Sequence, residues 1–230
     1  MDAAGDLGNS TRRPRVSAGF LLAIEGIDGA GKRSVGSALA SRLANHRQVR
    51  SFSFPDYASP SGTAIATYLR NGTPALSAEA ATMLFAADRL QHRDDIVALL
   101  DAGACVIVDR YVDSNAAYQS ARVDLERRDE FVSWATSLEY GLMRMPRADF
   151  TVFLDVPATV SRTRTVTREV VSGRPADDHY EGDHNLQLTA IAQYRTFAER
   201  GDWLAIDAAA NTLDEVVADA WSAVAARMPM

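Results

Sequence analysis

Residues 26–34 read GIDGAGKRS and follow directly on the apolar run FLLAIE at 20–25. Gly26, four residues, Gly31 and Lys32 form the pattern G-x-x-x-x-G-K, whose backbone N–H groups wrap phosphate oxygens while the lysine reaches further phosphates. The pattern works only where a strand ends and a helix begins, because the helix N-terminus adds roughly half a positive charge at the anion. Both flanks are present here. Of the 24 Lys and Arg residues, Lys32 is the single lysine and the rest are arginine. An ammonium is a compact charge that fits between phosphates where a planar guanidinium does not. The expected phosphate-binding residues are therefore Gly26, Asp28, Gly29, Ala30, Gly31, Lys32, Arg33 and Ser34. A plain glycine-rich turn is the alternative. The slot after the lysine usually holds a Ser or Thr that touches magnesium, but here it is Arg33, and Ser34 comes one place late.

The length of 230 residues suits one α/β domain with a single sheet and its helices. Net charge is -6, and no long basic cluster runs along an expected helix face, which argues against a nucleic-acid partner. The only cysteine, Cys105, lies in an apolar run, cannot pair within the chain, suits a reducing cytoplasm and reads as a small buried hydrophobe. Residues 1–19 are small and polar, without a signal-peptide core, and are expected to form a disordered extension. No stretch approaches ~18 consecutive apolar residues, so no membrane partner is expected.

Apolar runs alternate with helical patterns from end to end, the sequence form of a parallel sheet with helices on both faces. Strands are expected over 20–25, 49–54, 104–109, 149–155 and 203–206. Helices are expected from Lys32 to about Asn45, over 61–71, 77–101 and 125–144, from near Ala158, and over 181–200 and 212–227. Ligands of such sheets bind at the C-terminal ends of the strands.

The second strand ends in Phe54, Pro55, Asp56 and Tyr57; the proline forces an exit and turns aromatic rings toward a pocket, or it ends the strand in a structural loop. In MLFAADR, Phe85, Asp88 and Arg89 lie three to four residues apart on one helix face. Phe85 alone reads as core, whereas with Arg89 it offers a flat ring and a guanidinium to a base. The third strand ends in Asp109, Arg110 and Tyr111, followed by Asp113, Ser114, Asn115 and Tyr118. A carboxylate at such an end positions magnesium or water in nucleoside triphosphate chemistry, or forms a salt bridge with Arg110. Residues 161–178 hold Arg162, Arg164, Arg168 and Arg174, which suit an exposed helix face with a loop, or a mobile lid closing over a triphosphate. Glu181, beside Tyr180, opens the next helix.

GIDGAGK, FPDY, LFAADR, DRYVDSNAAYQ and DHYE, in this order and approximate spacing, make the chain resemble the thymidylate kinases from Phe20 to the last helix. The resemblance implies a five-stranded parallel P-loop NTPase sheet in one domain over 20–230 with a lid at about 161–178. It also implies a homodimer, and transfer of the γ-phosphoryl group of ATP to dTMP on the route to dTTP. Carried over by motif, Lys32 and the amides around Gly29–Arg33 hold ATP phosphates, Arg110 grips the acceptor phosphate, and Asp109 organises it and the metal. Phe85 stacks on thymine, Arg89 bonds its O4, Asn115 contacts the base, and Tyr118 fills the space beside the sugar C2'. Asp28 lies near the acceptor sugar or magnesium, and Phe54, Pro55, Tyr57 and Tyr180 complete the acceptor site. Because Gly29 stands where part of the family has arginine, the catalytic arginine falls to Arg164 or Arg168 in the lid. Magnesium then depends on Asp28, Asp109 and Glu181, or on Ser34 through a shifted loop.

Two other readings use the same residues. A deoxynucleoside kinase needs a carboxylate base near the acceptor hydroxyl, which only Asp56 offers after the second strand. A nucleotide-binding regulator without catalysis draws on Arg33 and the N-terminal extension. A guanine-specific N-K-x-D signature cannot exist with one lysine at position 32.

Overall fold

The computed structural model describes residues 19–71, 76–172 and 179–228. Five parallel strands, β1 (Phe20–Glu25), β2 (Val49–Ser53), β3 (Cys105–Asp109), β4 (Phe150–Asp155) and β5 (Trp203–Asp207), line up in the order β2-β3-β1-β4-β5. The pairing is in register from Phe20 opposite Cys105 to Ile24 opposite Asp109. The chain leaves β1 toward one edge of the sheet and leaves β4 toward the other, so the loops after these neighbours diverge and open a crevice at their C-terminal ends.

The central strands are buried on both faces, which is why they read as unbroken apolar runs. Leu22 and Ile24 pack with Ile107 and with Leu39 and Leu43 of helix α1 (Lys32–Leu43), while the alternate residues Leu21 and Ala23 pack with Val106, Val108 and, from helix α4 (Arg93–Asp101), Ile96 and Leu100. Each such buried side chain contributes about 1.5–3 kcal/mol relative to exposure. The edge strand β2 is short and exposes Arg50, Ser51 and Ser53, which blunts its free edge.

Helices α2 (Pro60–Asn71) and α3 (Ala78–Leu90) connect β2 to α4, with Ser77 capping α3 through the Ala80 amide at 3.1 Å. Helix α5 (Val112–Ser120) follows β3, and α6 (Arg128–Thr136) follows a short 3-10 turn at Leu125–Arg127. The single helix expected over 125–144 is thus three windings, the last a π-wound segment Ser137–Leu142 that carries the fully buried Glu139. The pattern of exposed polar and apolar residues does not report this change of winding.

The arginine-rich stretch is helix α7 (Ala158–Ser172), and residues 173–178 of the expected lid lie outside the described residues. The helix expected over 181–200 is instead a short turn, α8 (His179–Gly182), and α9 (His184–Ala198); Asp183 separates them and caps α9 through the Leu186 amide at 3.0 Å. Helix α10 (Leu213–Arg227) closes the chain behind a Thr212–Glu215 capping box. Residues 1–18, most of the expected N-terminal extension, also lie outside the described residues. Among the described residues no helix is long and apolar enough to cross a membrane.

Cys105 is fully buried in β3, and burial pushes its thiol up to about 11. The thiolate is the reactive form, so at pH 8 a thiol reagent should leave the native protein unmodified and label Cys105 only after denaturation, as read by intact mass.

Candidate nucleotide-binding site

The loop after β1 turns tightly because Gly26, Gly29 and Gly31 adopt φ of 141°, 74° and 99°. Glycine is required at Gly29 for space as well: a Cβ there would lie 2.6 Å from the Ser161 carbonyl oxygen. Helix α7 therefore rests directly on the phosphate loop, and the Ser161 hydroxyl donates to the Asp28 carbonyl. Helix α1 begins at Lys32, with Gly31 as its N-cap, so the helix N-terminus opens onto the loop.

Lys32 is buried with its Nζ donating to the Ile27 carbonyl at 2.9 Å. Burial first, and the positive Arg110 second, push its pKa below the ordinary lysine value, while Asp28 and Asp109 pull the other way. Arg33 and Ser34 are both exposed on the first turn of α1.

Beyond the loop lies a cleft of about 570 Å³, open to solvent. All ten residues expected to meet the acceptor line it. Asp28, Arg110 and Tyr118 form its phosphate-loop side, and Phe54, Pro55 and Tyr57 enter from the end of β2. Phe85, Arg89, Asn115 and Tyr180 complete the wall, together with Leu69, Ser114 and Gln119, which sequence reasoning did not single out for the cleft. The Phe54–Pro55 peptide is cis, and the Phe54 amide still donates to the Asp109 carbonyl at 3.0 Å.

Arg110 takes a left-handed φ of 66° and reaches back over the loop. Its Nη2 donates to Asp28 Oδ1 at 2.6 Å, its Nη1 to the Gly26 carbonyl at 3.3 Å, and its guanidinium covers the Tyr118 ring at 5.2 Å. The salt bridge considered between Asp109 and Arg110 does not form, because the backbone turn carries Arg110 toward Asp28. Asp109 ends β3 without lining the cleft.

At the other end of the cleft, Arg89 is paired with Glu139 through Nε and Nη2, both at 2.6 Å. Asn115 Nδ2 donates to the Thr82 carbonyl at 3.0 Å and to Glu139 Oε1 at 2.9 Å. Both amide protons are thus used, which fixes the orientation of the amide and leaves Asn115 Oδ1 buried with no partner. Asn115 and Arg89, both residues of the wall, thus meet at one carboxylate oxygen. The ring of Tyr180 stacks on Tyr118 at 6.1 Å and on Phe85 at 6.3 Å, forming an aromatic shelf. The Tyr118 hydroxyl donates to Gln187 Oε1 at 3.2 Å.

Other expected residues stand elsewhere. Asp56 does not line the cleft: its Oδ1 accepts the Ala58 amide at 3.1 Å and its Oδ2 lies 3.1 Å from His92 Nε2. Asp88 instead draws this loop in by accepting the Asp56 amide at 2.8 Å and the Ser59 hydroxyl at 2.7 Å. Arg164 is exposed and donates to the Ala208 carbonyl at 2.8 Å, away from the cleft. The side chains of Arg168 and Glu181 lie outside the described residues. Among the described residues no group of three or more His, Cys, Asp or Glu side chains forms a metal cluster.

Because Gly29 combines a positive φ with contact to Ser161, Gly29→Ala should cost about 1–3 kcal/mol of stability, read as a lowered urea midpoint at unchanged slope. An unchanged midpoint would show that α7 can withdraw from the loop freely.

A thymidylate kinase family model matches residues 24–220. A thymidylate kinase of Mycobacterium tuberculosis is 35% identical over 196 residues, covering 82% of this chain and 92% of that protein. A thymidylate kinase of Plasmodium falciparum is 29% identical, covering 83% and 82% respectively. The solved structure of a thymidylate kinase from Candida albicans superposes with a TM-score of 0.73 at 27% identity, covering 91% of this chain and 92% of that one. The parallel sheet, the glycine loop and the cleft at its C-terminal edge are thus those of a known enzyme family, and the chain belongs to the thymidylate kinases.

Proposed function

We propose that the protein transfers the γ-phosphoryl group of ATP to dTMP, giving dTDP and ADP, as a single kinase domain over 20–230. The observation that carries this reading is the unpartnered Asn115 Oδ1 beside Arg89. Thymine offers an acceptor at O4 and a donor at N3–H; an arginine that can only donate and a fixed acceptor match both. Cytosine presents the reverse, an amino group at position 4 and a bare N3, so it would set donor against donor and leave the asparagine oxygen unpaired. Uracil differs only by a methyl group, worth on the order of 1 kcal/mol, so dUMP is a poorer substrate that is still accepted. Tyr118, stacked and bonded through its hydroxyl, is the residue assigned to the sugar C2' side.

The acceptor phosphate has a second pKa near ~6 and is largely dianionic at neutral pH, so no general base is required. Catalysis consists of aligning two polyanions and balancing their charge. Arg110, already held against Asp28, is placed to take the acceptor phosphate. Lys32 has three ammonium donors and spends one on Ile27, which leaves donors for the phosphates of ATP beside the loop amides. Arg164 and Arg168 on α7 are the arginines assigned to the transferred group, and Arg164 must exchange its bond to Ala208 for that role.

Mg2+ fits the donor set, since this ion keeps several waters and needs only one or two carboxylates besides substrate phosphates. Asp28 and Asp109 would hold it, with Glu181 and the Ser34 hydroxyl as further oxygen donors. When bound it neutralises charge on the phosphates. We also assign the protein to the cytoplasm as a homodimer, on the strength of the family and of its lone reduced thiol.

The deoxynucleoside kinase reading loses its base, because Asp56 is turned to Ala58 and His92 rather than into the cleft. A panel of dTMP, dUMP, dCMP and thymidine with ATP and Mg2+ should give dTDP as the main product, weak turnover of dUMP and none of thymidine. Lys32→Ala should lower kcat by about a hundredfold or more with the fold retained; preferred turnover of thymidine would sink the proposal.

The charge of Lys32 also sets a pH dependence. Its folded pKa is lowered, so the ammonium that phosphates require is lost at a pH below 10.5. The KM for ATP should therefore rise on the alkaline side with a midpoint under that value; a KM that stays flat up to pH 10.5 would show that Lys32 keeps its proton.

A further inference from the structure

Glu139 belongs to none of the motifs that mark the site, yet it is fully buried on the π-wound turn Ser137–Leu142. A carboxylate in a dry interior is tolerated only with partners that satisfy it. Its partners are two residues of the cleft wall. Oε2 accepts from Arg89 Nε, and Oε1 accepts from both Arg89 Nη2 and Asn115 Nδ2. The bidentate pair fixes the plane of the Arg89 guanidinium, and no hydrogen bond among the described residues uses its Nη1. The same carboxylate accepts one proton of the Asn115 amide while Thr82 accepts the other. Turning that amide over would set Oδ1 against a carboxylate and a carbonyl, so Oδ1 is held toward the one side without a partner.

We propose that Glu139 is the positioning residue for base selection: without touching the nucleotide, it locks Arg89 as a donor and Asn115 as an acceptor, and so writes the donor and acceptor order that the base must match. This rests on the thymidylate reading of the cleft and deepens it. In Glu139→Gln one acceptor becomes an NH2 donor. In either orientation that group opposes an Arg89 donor, and at the Oε1 place it also donates to a turned Asn115 amide, whose Nδ2 then meets the base. A donor at that point suits the bare N3 of cytosine.

The test compares wild type, Glu139→Gln and Glu139→Asp with ATP and dTMP, dUMP or dCMP, alongside thermal unfolding. Glu139→Gln should raise the KM for dTMP about tenfold or more with a smaller change in kcat, and narrow the dTMP to dCMP ratio of kcat/KM by a similar factor. Glu139→Asp keeps the charge and should recover part of the ratio. An unchanged ratio, including the absence of dCMP turnover by Glu139→Gln, overturns the inference, even if all KM values rise together. Loss of the folded state in both variants assigns Glu139 to the core and overturns it too. Failure of the wild type to use dTMP strikes the proposed function instead, and is seen before any variant is compared.

Discussion

The buried carboxylate of Glu25, at the end of β1, is the contact on which the geometry of the cleft depends. It accepts the Tyr111 amide at 2.8 Å, the Ser114 hydroxyl, and the Tyr194 hydroxyl at 3.1 Å. One side chain thus ties the strand that feeds the phosphate loop to the start of α5 and to α9. Burial raises its pKa, and the Ser114 hydroxyl opposes that shift by bonding the charged form. Since α5 carries Asn115 and Tyr118, and Arg110 lies just before it, these three cleft residues are referred to the same strand end.

From that anchor the cleft is assembled from paired charges. Arg110 is held by Asp28, and Arg89 by Glu139. Each arginine is oriented by a carboxylate, so little reorganisation is needed when a ligand meets it. The two pairs act differently. Arg110 and Asp28 are partly open, at 15% and 26% side-chain exposure, so solvent reaches their bond. Arg89 and Glu139 are at 3% and 0%, so their bond persists and shapes hydrogen bonding instead. One end of the cleft therefore holds an ion pair open to solvent and the other a buried one.

The legible parts of the sequence were those governed by local physics. The glycines of the loop, the apolar runs of the central strands and the residues at strand ends each obey a short-range rule, and all ten residues that the motifs led us to expect at the acceptor line one cleft. What escaped depends on contacts across the chain. Glu139 meets Arg89 across 50 residues and Glu25 meets Tyr194 across 169, and neither pair has a spacing that marks it. Asp56 was a candidate base because it is the carboxylate that follows the second strand, but it stands in a loop held by Asp88 and does not line the cleft.

The sequence by itself determined the parallel α/β class and the glycine loop, because periodicity and glycine geometry act within a few residues, and its motifs, through the resemblance they carry, picked out side chains that line the cleft. Only the tertiary structure decided their states: which carboxylate holds which arginine, that Gly29 faces the Ser161 carbonyl of α7, and that the oxygen of Asn115 is the atom left over. Burial requires every polar group to find a partner, and those partners are assigned only when distant segments pack together.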